Sequence, residues 1–332
     1  MLSFIDTQTD PYFNLSAEEY LLTSFDEPVF RLWRNEPCIV IGKYQNALAE
    51  INFDYVKSHK IKVVRRLSGG GAVFHDLGNL NFTFIDRKKE GEDTGEMFRR
   101  FTAPIIDALQ NLGINAALEG RNDLTIDGRK FSGNAICIHD QRVLQHGTLL
   151  FSASMNNLSE ALKTRPEKFI GKSVKSNISR VTNISEHLPD KTKMTIEEFI
   201  AYLDSYISDK YSGEITRCNY SSKDLKAIDD LRKRKYETDR WIYGNSPKYS
   251  FTNVFRLPCG LFEVSLDVRK GIITDCRIMG DYFFLKPTED ITNAMKGINH
   301  QYDSILSVLS RFDLKEYFGA DIKEDLAKNL IK

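Results

Sequence analysis

The stretch RRLSGGGAVFHD, residues 65–76, gathers two arginines, three successive glycines and a histidine-aspartate pair within twelve positions. The segment IKVVRRL leading into it is strand-like, and NLNFTFID after it alternates as a half-buried strand does. The glycines therefore join two strands. Three glycines in a row give up side-chain packing and cost backbone entropy, which suits either a tight hairpin or the close approach of a ligand to main chain. Backbone N–H groups exposed in this way can cradle phosphate or carboxylate, and Arg65 and Arg66 supply fixed charge for the same anions. The Walker pattern GxxxxGK[ST] is absent.

Working outward, PVFRLWRN and CIVIGKY read as two strands separated by EP. The segment NLSAEEYLLTSF (14–25) reads as a helix capped by Ser16, with Glu18 and Glu19 in its first turn. FDYVKSHK is a short helix, and residues 95–113 form a longer one ending on Gly113 as C-cap. A set of strands follows, with IDGRK as a hairpin turn and HGTLLFSA as a buried strand. This order is not a repeated βαβ unit, so the expected class is α+β, a mixed sheet with helices on it. Residues 156–183 are polar and basic with little periodicity, as in a surface connection. Two helices come next, over 195–211 and 222–236. Gly244, Asn245 and Pro247 then punctuate the chain, which places a boundary there. The expected domains are 1–245 and a hairpin-plus-helices module at 246–332.

A chain of 332 residues is longer than most single domains, which agrees with that division. Lys plus Arg (46) balances Asp plus Glu (46), arguing against nucleic-acid binding through whole-chain charge. Basic function must be local. The five cysteines form no CxxC pair and no metal-ligand spacing, so free thiols in a reducing compartment are expected. Neither a leader nor a bilayer-spanning stretch is read, and the expected location is the cytoplasm, with no membrane partner.

A second cluster, GRNDLTIDGRKFSGNA (120–135), brings a strand edge and a hairpin toward one small polar ligand. Lys130 there is either a solvated hairpin residue or a cation for that ligand. Asp123 is either a cap or a metal-facing carboxylate. His146 enters an apolar strand, where a histidine can be a satisfied core residue or a catalyst.

Taken together, RRLSGGGAVFHDLGNLNFTF, GRNDLTIDGRKFSGNA, HGTLLF and KSVKSNISRVTNI, in this order, resemble bacterial lipoate-protein ligases. WRNEPCIVIGKYQN and YGNSPKYS extend the resemblance across nearly the whole chain. It implies a biotin/lipoate-ligase-like mixed-sheet domain with a small C-terminal α+β accessory domain. It also implies activation of lipoate by ATP and Mg²⁺ to lipoyl-AMP and pyrophosphate, then transfer to a lysine of a lipoyl domain. The acceptors implied are the glycine cleavage H protein and the E2 subunits of 2-oxo acid dehydrogenases. On that mapping Arg66, Gly71, Ala72, Val73 and Phe74 meet ATP, and Lys130 is the essential lysine touching both substrates. Ser68, Gly69, Gly70, His75, Asn79, His146 and Trp33 surround lipoate. Asp123 helps hold Mg²⁺, and Lys172, Lys175 and Arg180 belong to a loop that orders over the adenylate. Ile178 stands where the family often has a further basic residue, which predicts weaker closure of that loop.

Three rival readings remain. An ATP-independent octanoyl or lipoyl transferase of the same fold would use Cys137 as a thioester nucleophile. A biotin ligase would carry an arginine-interleaved glycine loop, which SGGGAVFHD is not. A non-catalytic binder of lipoyl domains, or a lipoate sensor, would keep the pocket without the chemistry.

Overall fold

The computed structural model describes residues 1–51, 53–154, 181–210, 215–243, 251–269 and 271–331. Lys172, Lys175, Ile178 and Arg180 lie outside the described residues, as do 244–250, where the domain boundary was expected. In chain order the strands are β1 (Leu2–Ile5), β2 (Val29–Arg34), β3 (Cys38–Ile41), β4 (Lys62–Arg65), β5 (Val73–His75), β6 (Asn79–Arg87) and β7 (Ala116–Glu119). They continue with β8 (Asp123–Ile126), β9 (Arg129–His139), β10 (Arg142–Leu150), β11 (Thr216–Arg217), β12 (Phe251–Leu257), β13 (Gly260–Arg269) and β14 (Ile272–Gly280). The main sheet has eight strands in the order β11-β1-β2-β6-β10-β9-β8-β7. β11, β1 and β2 run parallel, whereas the pairs from β2 to β7 are antiparallel. A second sheet, β4-β3-β5, carries the glycine loop between its two outer strands. The expected mixed sheet is present, but the glycines join β4 to β5 and not to the NLNFTFID strand as read from the sequence, because Val73–His75 pairs with β3 as a short extra strand before β6 begins in the main sheet.

Helix α1 (Pro11–Ser24) starts earlier than expected. Pro11 at its first position fixes the helical φ, and the Asp10 carboxylate accepts from the Tyr12 N–H, so the cap lies six residues before Ser16. Ser16 is internal and its hydroxyl donates back to the Tyr12 carbonyl at 2.7 Å. The shift puts Glu18 on the buried stripe with Leu15 and Leu22. Two short helices follow, α2 (Ala47–Glu50) and α3 (Phe53–Ser58). Helix α4 (Thr94–Asn111) has a capping box from Asp93 and Glu96. It lays Met97, Phe98, Phe101, Ile105 and Leu109 against Phe30, Phe82, Phe84 and Phe131 of the main sheet. The β8–β9 turn is two residues, Asp127 and Gly128, at φ 50° and 74°, the backbone a right-twisted hairpin needs.

Helices α5 (Ile196–Lys210), α6 (Ser222–Leu231) and α7 (Asp239–Tyr243) complete the large domain, with a π-helical turn at Arg232–Tyr236 after α6. In the accessory domain β12-β13-β14 form an antiparallel meander. Helices α8 (Glu289–Ala294), α9 (Tyr302–Leu309), α10 (Leu314–Phe318) and α11 (Lys323–Asn329) pack on it around Phe262, Tyr282 and Phe318.

The two domains meet on the turn after β3. Tyr44 stacks with Tyr282, its hydroxyl reaches Glu289 at 3.1 Å, and its carbonyl accepts from the Gly280 N–H at 3.0 Å. Arg65 fixes this turn from below. Its fully buried guanidinium donates to the carbonyls of Gly42, Lys43, Gln45, Trp241 and Ile242. One side chain thus ties the docking turn to the end of α7.

Candidate active site

A cavity of about 200 Å³ opens where the two sheets and the accessory domain converge. Leu15, Trp33, Val40, Val73 and Ala135 give it apolar walls, while Arg66 and Lys130 supply its cations. Arg66 comes from the first residue after β4 and is buried. Its guanidinium donates to the carbonyls of Gly69 (2.7 Å), Gly71 (2.8 Å) and Val40 (3.2 Å) and to the Ser68 hydroxyl (3.1 Å). All four partners are neutral, and burial pulls the guanidinium down to about 10, so it is still a cation at neutral pH. A buried cation without a contacting carboxylate favours an anionic guest.

The three glycines do three different things. A Cβ on Gly69 would lie 2.4 Å from the Tyr282 carbonyl oxygen of the accessory domain, so that glycine allows the domains to touch. Gly70 adopts φ +91°, and its carbonyl oxygen would be 2.1 Å from a Cβ on Gly42. Gly71 has nothing within 4 Å of its Cβ position and lines the cavity.

Beyond the loop, β5 alternates. Val73 and His75 face the cavity, while Phe74 faces the opposite cluster with Ile39 and Ile41. The His75 Nδ1 accepts from the Asn35 amide at 3.1 Å, which leaves its buried Nε2–H without a partner among the described residues. Burial, helped by Arg66 and His146, drives His75 down to about 3, so the ring is neutral. His146 is held on both sides. Its Nδ1 lies 3.0 Å from both Glu18 oxygens and its Nε2 is 2.6 Å from the Ser68 hydroxyl. Glu18 in turn accepts from Thr83 at 2.6 Å, and Thr83 from the Trp33 indole at 2.9 Å. Burial alone would push Glu18 up, yet His146, Arg31 and Thr83 outweigh it and hold the carboxyl below its usual range. Each of these buried side chains is held by a named partner, so the network is a rigid wall.

Lys130 sits on β9 at an irregularity. Leu124 pairs with Ser132 but Thr125 with Lys130, so Phe131 is an extra residue, and the bulge re-aims Lys130. Its ammonium is 2.7 Å from Asp123, both side chains being about 40% exposed at 41% and 40%. Next to them the Asn122 and Asn134 amides each donate to the other's backbone carbonyl, at 2.6 and 3.0 Å, and both residues line the cavity. Where the described chain resumes, Val181 bridges to Lys130 and the Thr182 N–H donates to the Lys130 carbonyl at 2.9 Å.

Of the residues singled out in the sequence, Trp33, Arg66, Gly70, Gly71, Ala72, Val73, His75, Lys130 and His146 line this one cavity. Ser68, Gly69, Phe74, Asn79 and Asp123 are not among its lining residues. Asn79 is fully buried and donates to Asn81, which takes the lining position two residues along β6. Asn122 and Asn134 belong to the 120–135 cluster and Asn81 to the Asn79–Phe84 strand, both read as site segments, whereas sequence reasoning missed Glu18, Gly147 and Phe283. Gly147 carried a signal, since a Cβ there would meet the Asn134 side chain at 2.3 Å and the Phe82 ring at 2.5 Å. Cys137 is buried away from the cavity among Phe4, Leu22, Ile85 and Leu144, and burial raises its thiol to about 11. A thioester nucleophile needs the opposite. Among the described residues no group of three or more His, Cys, Asp or Glu could hold a metal by itself.

Comparison with known proteins agrees with this geometry. The lipoyl protein ligase A/B catalytic domain family matches residues 10–208, and the bacterial lipoate protein ligase C-terminus matches residues 246–330. The lipoate-protein ligase LplJ of Bacillus subtilis is 43% identical over 327 residues, covering 97% of this chain and 98% of its own. LipL1 of P. falciparum, solved in complex with lipoate, has a TM-score of 0.77 at 26% identity, covering 99% of both chains. A lipoate-protein ligase A bound with ATP has a TM-score of 0.63 at 26% identity, covering 74% of this chain and all (100%) of that one. Matched in both of its domains and along nearly its whole length, the chain belongs to the lipoate-protein ligase family.

Proposed function

We infer that the chain activates lipoate with ATP and passes the lipoyl group to a lysine of an acceptor lipoyl domain. The observation that carries this is a single cavity with apolar walls, bounded by the buried Arg66 and by Lys130 at its rim. The acyl chain would lie along Leu15, Trp33 and Val73, its ring end near the Glu18–His146 wall. The nucleotide would lie over Gly71 and Ala72, with its α-phosphate between Arg66 and Lys130. In the first step a lipoate carboxylate oxygen attacks the α-phosphorus, the bond to the β-phosphate oxygen breaks, and pyrophosphate leaves. Two anions must approach, and an ammonium between them lowers their repulsion and stabilises charge building on the α-phosphate. In the second step the acceptor amine attacks the acyl carbon, AMP leaves with the bonding electron pair of the acyl C–O bond, and the amine's surplus proton passes to solvent.

The donor set fits Mg²⁺ only as an ion shared with the nucleotide phosphates, because Asp123 is the one carboxylate proposed for it. When bound, the ion would offset charge on those phosphates. His75, held neutral, offers its free Nε2–H as a hydrogen-bond donor to the guest. Ser68, His146 and Glu18 are spaced like a nucleophile relay, but Ser68 is fully buried, does not line the cavity and accepts from Arg66. Its role is to hold the wall. As acceptors we propose the glycine cleavage H protein and 2-oxo acid dehydrogenase subunits, and as location the cytoplasm. All five cysteines are free, as a reducing compartment requires.

The test is lipoate-dependent release of pyrophosphate from ATP. Lys130→Ala should lower it by roughly two to three orders of magnitude, the usual loss for one group stabilising transition-state charge. Cys137→Ala should keep most of it. Lipoyl transfer without ATP, lost in the Cys137 variant, would move the chemistry to a thioester.

A further inference from the structure

One hydrogen in the cavity wall is placed by a chain of contacts that runs back to a buried arginine. Arg31 on β2 is fully buried, and a guanidinium can only donate. The Asn14 Oδ1, 2.6 Å from it, must therefore accept. That orients the Asn14 amide, whose Nδ2 donates to the Arg34 carbonyl and to the Asn35 Oδ1, both at 2.9 Å. With its oxygen engaged, Asn35 presents its own Nδ2 to the His75 Nδ1 at 3.1 Å. Nδ1 accepts, so the single hydrogen of the neutral ring sits on Nε2. That nitrogen is buried without a partner among the described residues, in a ring that lines the cavity. His75 stands 6.4 Å, centre to centre, from Trp33, whose indole is tied through Thr83 to Glu18. The ring thus shares its stretch of wall with an aromatic neighbour, and burial keeps it uncharged.

We propose that His75 is a specificity-determining residue whose Nε2–H donates to a dithiolane sulfur of lipoate, and that Asn14 and Asn35 are the positioning residues that fix its tautomer. The proposal rests on the ligase reading, with the acyl chain in this cavity. Lipoate offers acceptors at its two ends only. Its carboxylate is matched by the cations Arg66 and Lys130. What remains is the disulfide of its ring, an uncharged and weak acceptor that suits an uncharged donor in a largely apolar wall. Octanoate has the same carbon chain and no sulfur. It would fill the cavity and leave the Nε2–H buried and unpaired, which costs binding.

Two measurements on the full chain test this. The first is kcat/KM for pyrophosphate release with ATP and Mg²⁺, taken with lipoate and again with octanoate. His75→Phe should lower the lipoate-to-octanoate ratio about three- to tenfold, through KM for lipoate, the loss expected for one modest hydrogen bond. His75→Gln, with an amide N–H close to where Nε2 stood, should restore most of that ratio. An equal fall with both acids would put the donor at their shared carboxylate end and overturn the proposal, as would an unchanged ratio. The second is the ring-nitrogen NMR spectrum of histidine-labelled protein, assigned with His75→Gln. Wild-type His75 should carry its hydrogen on Nε2, and lipoate should shift that nitrogen more than octanoate does. In Asn35→Asp, whose carboxylate can only accept, Nδ1 should become protonated. A hydrogen on Nδ1 in the wild type, or equal shifts with the two acids, would overturn the proposal, and this spectrum decides should His75→Phe fail to fold. Absence of lipoate-dependent pyrophosphate release in the wild type would instead defeat the ligase reading.

Discussion

Lys130 and His75 show how differently two polar side chains can be held in one cavity. The Lys130–Asp123 pair is partly solvated, so removing its charge should change stability by under about 1 kcal/mol even where activity collapses. His75 is the reverse, buried and neutral, with its folded value near 3 against an ordinary 6.5. Below about 6.5 the unfolded chain takes up a proton that the folded chain refuses, so this residue costs stability as pH falls from about 6.5 towards about 3. Urea unfolding should therefore show a smaller loss between about pH 7 and about pH 5 in His75→Gln than in wild type. An equal loss in both would mean that the histidine titrates normally in the folded protein.

Within the β4–β5 connection, adjacent glycines should respond to substitution in opposite ways. Gly69→Ala sets a Cβ against the Tyr282 backbone oxygen at 2.4 Å, a clash that no side-chain rotation relieves. We expect a lower thermal midpoint and faster amide exchange over Asp281–Phe284. Gly71→Ala meets nothing within 4 Å, so the midpoint should hold while KM for ATP rises. A Gly71 variant that melted early with unchanged KM would place that residue in the fold and not in the site. The loop itself was legible from three glycines between two strand patterns. Which glycine serves a ligand and which serves a neighbouring domain was not, because both needs produce the same letter. Helix α1 teaches the same lesson. Its existence was readable, but Pro11 and Asp10 moved its start and turned Glu18 from a first-turn charge into a buried wall residue.

Across the molecule the two domains are registered on the turn after β3, and Arg65 is what holds that turn. The Gly42 carbonyl also accepts from the Gln45 N–H at 3.1 Å, so a lysine with three donors leaves about one of the five carbonyls unpaired, at about 1–3 kcal/mol. Arg65→Lys should therefore lower stability by roughly 1–3 kcal/mol, read from urea midpoints. A loss below about 1 kcal/mol would show that water replaces the guanidinium there. From the sequence Arg65 and Arg66 looked like a matched pair for an anion. The structure separates them: one rivets main chain to main chain, and the other lines the cavity.

The sequence by itself determined that the glycines form a loop leaving a strand, the α+β class with a small C-terminal domain, and the family, while the short strand β5 after the loop was not legible because three residues carry no periodicity. Periodicity, turn residues and motif spacing are properties of a few neighbouring positions, and the chain alone carries them. Tertiary structure decided which of those residues share a cavity, that Glu18 braces the lining residue His146 and that Phe283 joins the lining from the accessory domain. Glu18 lies 128 positions from His146, and Phe283 comes from another domain. Their meeting depends on sheet order and domain docking, and those are set by burial summed over the whole chain.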